Sequence, residues 1–139
     1  MREVDRLFSA IELFRKRVNK DMPIQHVTLL LAVARNPGIT MPELISLLKM
    51  PQGSVSRNIK VLSDYVEREN GVSVMKGYCL LRTRPVPYNR RVLAVYLTLR
   101  GEALIQDLTR MLTREQGNGW GDESAGLKQA AGFREMVTQ

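Results

Sequence analysis

The sequence predicts a mainly α domain carrying one small β-hairpin, and two observations carry that prediction. Apolar residues recur at helical spacing over most of the first 66 positions and again after Thr98. Beyond Gly71 the period changes to two, and there the charge becomes one-signed: between Asn70 and Gly101 no acidic residue occurs, while Lys76, Arg82, Arg84, Arg90, Arg91 and Arg100 do.

Val4, Leu7, Phe8, Ile11, Phe14 and Val18 form one stripe, with Arg6, Arg15, Arg17 and Lys20 largely off it, so residues 2–20 read as an amphipathic helix. After Met22-Pro23 a second helix runs from Ile24 to Arg35, apolar almost all round and therefore buried, until Pro37-Gly38 ends it. Thr40-Met41-Pro42-Glu43 is a capping box, with Pro42 in the first turn where no intrahelical donor is lost. It opens a short helix, Met41 to Lys49, with Leu44, Ile45 and Leu48 inward. Met50-Pro51 allows only a tight turn before the next pattern, which begins near Gln52 with Val55, Ile59, Leu62 and Val66 inward. Two short helices joined this closely, the second amphipathic, form a helix-turn-helix.

Tyr78, Leu80 and Arg82 then alternate with Cys79, Leu81 and Thr83, and Leu93, Val95 and Leu97 with Val92, Ala94 and Tyr96. Two such runs read as an antiparallel hairpin, its tip a proline-containing loop from Arg82 to Arg91 bracketed by four arginines. Thr98 can cap another helix, in which Leu104, Ile105, Leu108, Met111 and Leu112 make one apolar face. From Glu115 glycine becomes frequent, which predicts a loose tail with at most a short helix near Leu127 to Val137. The organisation is an N-terminal helix (1–22), a central lobe (23–98), a C-terminal helix (99–114) and a glycine-rich tail (115–139).

Composition sets the class of partner. A chain of 139 residues with 44% hydrophobic and 25% charged residues builds one soluble domain rather than a disordered tail. No apolar run approaches the length of a membrane span, and the charged N-terminus lacks the apolar core of a signal peptide, so no membrane association and a cytoplasmic location are expected. A formal charge of +7 favours an acidic partner. With one histidine and one cysteine there is no metal cluster, and neither a phosphate-binding glycine loop nor a paired nucleophile and base occurs. No enzyme and no cofactor are predicted. His26 reads as a packed histidine of the buried helix, Cys79 as a structural residue of a strand, and Trp120 as an anchor on either a partner or its own domain.

A helix-turn-helix followed by a basic hairpin is a winged helix. Asn36-Pro37-Gly38-Ile39-Thr40-Met41-Pro42-Glu43-Leu44 resembles the entrance to the helix-turn-helix of MarR-type transcriptional regulators. Gly53-Ser54-Val55-Ser56-Arg57 resembles their recognition helix. Asn89-Arg90-Arg91 and Leu97-Thr98-Leu99-Arg100-Gly101 are similar to their wing and to the start of the helix that follows. The likeness spans residues 24–112. Asn89 stands where that family usually carries aspartate, and the glycine-rich end replaces a dimerising helix. The resemblance implies a winged helix-turn-helix with flanking helices, acting as a dimeric, sequence-specific regulator, a repressor, on palindromic double-stranded DNA. A small-molecule effector is a further partner it admits. A module for replication or DNA architecture, and a winged helix turned to protein contacts, are the alternative readings.

With Val55, Ile59 and Leu62 inward, the opposite face presents Gln52, Gly53, Ser54, Ser56, Arg57 and Lys60 to a major groove. Gln52 and Arg57 suit base edges; Ser54, Ser56 and Lys60 suit phosphates, and Gly53 permits close backbone approach. Arg90 or Arg91 would enter the minor groove, the resemblance favouring Arg91, with Arg82 and Arg84 on the backbone and Asn89 beside them. Leu7, Phe8, Ile11, Phe14, Leu108, Met111 and Leu112 are the expected dimer contacts, because the two terminal helices have more apolar surface than a small lobe covers.

Overall fold

The computed structural model describes residues 1–113, in the order α1 (Arg2–Arg17), α2 (Ile24–Arg35), β1 (Ile39–Thr40), α3 (Met41–Leu48), α4 (Gln52–Leu62), β2 (Tyr65–Glu69), β3 (Val72–Lys76), β4 (Leu81–Val86), β5 (Asn89–Leu97) and α5 (Leu99–Thr113). The fold is mainly α with small antiparallel sheets. The glycine-rich tail, Trp120 and the short helix expected at 127–137 lie outside the described residues.

The described residues divide into two compact units, residues 22–102 and a second made from residues 1–21 and 103–113. In the second unit, α1 buries Ala10 and Phe14, and the α5 segment buries Leu104 and Leu108. An Arg17 Nη1 to Asp107 Oδ2 ion pair of 2.8 Å links the two helices. Helix α1 ends three residues before the expected boundary at 20. There the Asn19 Oδ1 accepts from the Asp21 N–H, a local bond that competes with helical continuation.

The central unit is built around α2, whose Val27, Leu29, Leu30, Ala32 and Val33 are buried. Leu44 of α3 and Val55, Ile59 and Leu62 of α4 complete the same apolar interior. The capping box at α3 is fully formed: Thr40 Oγ1 accepts from the Glu43 N–H, and the Glu43 carboxylate accepts from the Thr40 N–H at 2.9 Å. These bonds lower the Glu43 carboxyl pKa below its usual value. Strand β1 pairs with β5 (Ile39 opposite Val95) and β5 with β4, giving a three-stranded sheet in the order β1-β5-β4.

Three expectations are corrected. Val66 does not continue the recognition-helix stripe: α4 stops at Leu62, and Val66 is an exposed residue of β2. Residues 65–76 form a separate two-stranded hairpin, β2–β3, turned at Asn70-Gly71, where both residues have positive φ (53° and 80°). That is the backbone of a tight hairpin turn matched to strand twist. Second, Cys79 lies before the strand, in a connection with φ of 57°, where its amide donates to the Ser63 carbonyl. Asp64, which hydrogen-bonds the thiol, raises its pKa. Third, residues 82–91 are not a loop: Arg82 and Arg84 belong to β4, Arg90 and Arg91 to β5, and the turn itself is Pro87-Tyr88. Pro85 fits a strand because β4 is an edge with no ladder to lose on its outer side.

Candidate nucleic-acid interface

Helix α4 is a short amphipathic rod whose sequence decides its orientation. Val55, Asn58, Ile59 and Leu62 are buried, which leaves Gln52, Gly53, Ser56, Arg57 and Lys60 exposed and Ser54 half-buried. Arg57 Nη2 lies 3.4 Å from Ser54 Oγ, so these two side chains share one turn of the exposed face. Lys60 sits at the far end of the helix with its ammonium 4.9 Å from the centroid of the Tyr65 ring. The inner face meets α2 through Asn58, whose amide donates to the Gln25 side chain at 3.4 Å. Asn58 also hydrogen-bonds His26, but burial outweighs that bond and lowers the imidazole pKa below 6.5. His26 is thus a buried, neutral histidine behind the exposed face.

The wing is shaped by a register break. Strands β4 and β5 pair regularly from Leu81–Leu97 to Pro85–Leu93, and the next pair is Val86–Asn89. Arg90, Arg91 and Val92 therefore bulge out of the ladder opposite a single step of β4. A bulge of this kind bends the strand and re-aims its side chains. Val86 is buried and anchors the tip from beneath. The Asn89 Oδ1 accepts from the Arg91 N–H at 3.0 Å, so the asparagine braces the turn through the backbone without an ion pair.

These local facts bring helix and wing together. Gln52 and Ser56 of α4 line one open groove with Arg91, Val92 and Leu93 of β5, its floor completed by Met41, Pro42 and Ile45 of α3. Arg84 and Arg90 are exposed on the wing beside it. None of Arg57, Lys60, Arg84, Arg90 and Arg91 has an acidic partner among the described residues. The groove sets the neutral hydrogen-bonding groups of Gln52 and Ser56 beside the Arg91 guanidinium, chemistry suited to bases and phosphates respectively.

Two cations of the one-signed segment are engaged elsewhere. The Arg82 guanidinium lies 4.8 Å from the centroid of the Tyr96 ring, opposite it in the ladder. Lys76 is held between Glu67 and Glu69 of the β2–β3 hairpin, which raises its pKa. In the sequence Lys76 groups with the basic stretch, because its partners Glu67 and Glu69 stand outside that stretch and meet it only across a ladder. The Asn70-Gly71 dipeptide between alternating residues was the signal for this hairpin.

In the unit made from α1 and the α5 segment, Phe14 and Leu108 are buried within the single molecule, whereas Val4, Leu7 and Phe8 are more than half exposed. Ile11, Met111 and Leu112 are half-buried. Among the described residues, no group of three potential ligands could hold a metal ion, and no helix is long and apolar enough to cross a membrane.

Residues 20–71 match the family model of the MarR family. Among solved structures, a crystal structure of MarR is 19% identical, covering 97% of this chain and 93% of its own, with a TM-score of 0.52. The PcaV transcriptional regulator from Streptomyces coelicolor, in complex with its natural ligand, is 17% identical over 98% of this chain and 91% of its own, with a TM-score of 0.50. BpsR of Bordetella bronchiseptica, whose DNA binding is regulated by 6-hydroxynicotinic acid, is 16% identical over 97% and 89%, with a TM-score of 0.50. No curated protein matches the chain in sequence.

Proposed function

We propose that the chain, whose residues 20–71 match the family model of the MarR family, is a sequence-specific double-stranded DNA-binding transcription regulator. The observation that carries this reading is the shared groove: Gln52 and Ser56 at the start of α4 stand beside Arg91 of the bulged wing, with no acidic side chain among the lining residues. A major groove admits one helix entered by its N-terminal turns, and a neighbouring narrow minor groove attracts arginine. Gln52 and Arg57 read bases in this scheme, Ser54, Ser56 and Lys60 hold phosphates, and Gly53 lets the helix approach. Arg90 and Arg91 serve the minor groove, and Arg84 the backbone. Arg82, stacked on Tyr96, stiffens the wing and reaches DNA only by leaving that ring.

The protein acts as a two-fold dimer through α1 and α5, using the exposed Leu7 and Phe8 with Ile11, Met111 and Leu112. Phe14 and Leu108 support that surface from behind. The operator is then an inverted repeat with half-sites about 34–36 Å apart, and occupancy represses the adjoining gene. The ligands named for PcaV and BpsR support a small-molecule effector for this chain as well.

The test is selection of bound duplexes from a random pool by the full chain, followed by binding of the selected sequence at two salt concentrations. An inverted repeat, bound with affinity that falls steeply with salt, is expected. Retention of no particular sequence would leave an architectural role, and absence of salt-sensitive binding would remove DNA as the partner.

A further inference from the structure

Beneath the exposed face of α4 lies a polar contact that hydrophobic packing does not require. The inward side of the helix is Val55, Ile59 and Leu62 with one interruption, Asn58, which is 8% exposed. Its amide Nδ2 donates to Gln25 Oε1 in the first turn of α2 at 3.4 Å. Asn58 also hydrogen-bonds the next residue of α2, His26, which is 9% exposed. The His26 Nδ1 is buried without a hydrogen-bond partner among the described residues, so that bond is made through Nε2. With Nδ2 committed to Gln25, Asn58 meets the ring with Oδ1, which accepts from the Nε2–H. One side chain of α4 thus grips the first turn of α2 by both ends of its amide.

A buried amide is a poor way to gain stability. Replacing buried hydrogen-bonded polar groups with apolar ones of similar shape is often neutral or stabilising, because each polar group must first be stripped of water. What the amide supplies is direction. Apolar contacts are non-directional and let a helix roll with little loss, whereas a hydrogen bond weakens steeply once its angle opens. For α4 a roll matters: a side-chain tip about 6 Å from the helix axis moves about 1 Å for a rotation of about 10°. A recognition geometry tolerates about 0.5 Å.

We propose that Asn58 is a positioning residue, which with Gln25 and His26 locks the rotation of α4 on α2 and so aims Gln52 and Arg57 at base edges. The proposal rests on the DNA reading and adds the origin of its discrimination. Arg57 has the most to gain from such a lock. Its bond to Ser54 lies within α4 and turns with it, so that bond cannot fix the helix against the lobe. Phosphate contacts are more tolerant, being charge-based and independent of sequence. An α4 freed from the lock therefore keeps its affinity for any duplex and loses its choice among them.

The test compares the affinity of the full chain for its selected operator with that for a random duplex. Asn58→Leu should keep the wild-type urea midpoint or raise it. Its operator-to-random ratio should fall at least about tenfold, with random-duplex affinity within about twofold of wild type. Asn58→Asp still accepts from His26, and Gln25 can turn its amide to donate. That variant should return the ratio to within about threefold of wild type while its added charge weakens every duplex alike. An unchanged ratio in Asn58→Leu, an equal loss on operator and random duplex, or a ratio in Asn58→Asp as low as in Asn58→Leu overturns the proposal. Should Asn58→Leu fail to fold, Gln25→Leu at an exposed position removes one arm of the grip and should lower the ratio at least about threefold. No change there overturns the proposal as well. The lock also has a readout free of DNA, because His26 is the chain's one histidine. Near neutral pH its side-chain nitrogen spectrum should show the neutral ring protonated on Nε2; protonation on Nδ1 overturns the lock. A wild type that prefers no duplex removes the DNA reading and this aim with it, a result separable from a wild type that discriminates and an Asn58→Leu variant that does so equally.

Discussion

Gly101→Ala should unfold the junction between the wing and α5. A methyl carbon at Gly101 would lie far inside van der Waals contact of the Leu80 carbonyl oxygen, 3.2 Å from its carbon and 3.3 Å from Leu97 Cδ2. The obstacle is backbone, and it is already bonded: the Thr98 N–H donates to Leu80 O at 3.0 Å, Leu80 N–H to Leu62 O at 2.7 Å, and Thr98 Oγ1 to Cys79 O at 2.7 Å. Relief requires the Leu80 backbone or the first turn of α5 to move by roughly 1 Å, enough to break about two of these bonds, each worth about 1 kcal/mol net. Overpacking strain adds about 1–3 kcal/mol. Helix propensity opposes the loss, since alanine gains about 1 kcal/mol over glycine in a helix. The net destabilisation is about 2–4 kcal/mol. With a urea m-value of about 2 kcal/mol/M, the midpoint should fall by roughly 1–2 M at unchanged m. A shift below about 0.3 M would refute the reasoning, because the helix would then have accommodated the methyl without disturbing Leu80.

Gly53→Ala should have the opposite effect on stability, since the added carbon meets only the mobile end of Arg57 at 3.2 Å; thermal melts should rise while operator affinity falls, as the methyl stands on the DNA-facing side. Arg57→Ala should cost about 1–3 kcal/mol of specific binding and relax one base position per half-site, whereas Lys60→Ala should weaken all sequences alike and flatten the salt slope; identical profiles on a panel of operator variants would contradict the assignment. Replacing Arg90 and Arg91 together with alanine should leave the fold intact and lose most affinity on A·T-flanked sites. Equal loss on G·C-flanked sites would make the wing a general phosphate clamp. His26 has a lowered pKa in the folded chain and about 6.5 when unfolded, so its contribution to stability is complete above pH 6.5 and declines as pH falls towards the folded value. Denaturant titrations from pH 8 to 5 should show this decline in wild type and a smaller one in His26→Gln; identical slopes would exclude the imidazole as its source.

What the sequence by itself determined was everything fixed by near neighbours. Thr40 and Glu43 are three residues apart, and the capping box they imply is present with both bonds. The bounds of α2, and the inward set Val55, Ile59 and Leu62 of α4, follow from a period that the backbone alone imposes. Even the β2–β3 hairpin was written locally, in Asn70-Gly71. It was obscured because Val66 happens to fall eleven residues after Val55, on the extrapolated helical stripe, although the backbone has left the helix by Ser63. Only tertiary structure decided which cations remain available. Lys76 is neutralised across a ladder, Arg82 lies over an aromatic ring on the facing strand, and Arg91 is turned towards Gln52 and Ser56 by a bulge. Periodicity could not supply these facts, because each depends on register between segments, and a register change of one residue turns every side chain to the other face of a strand.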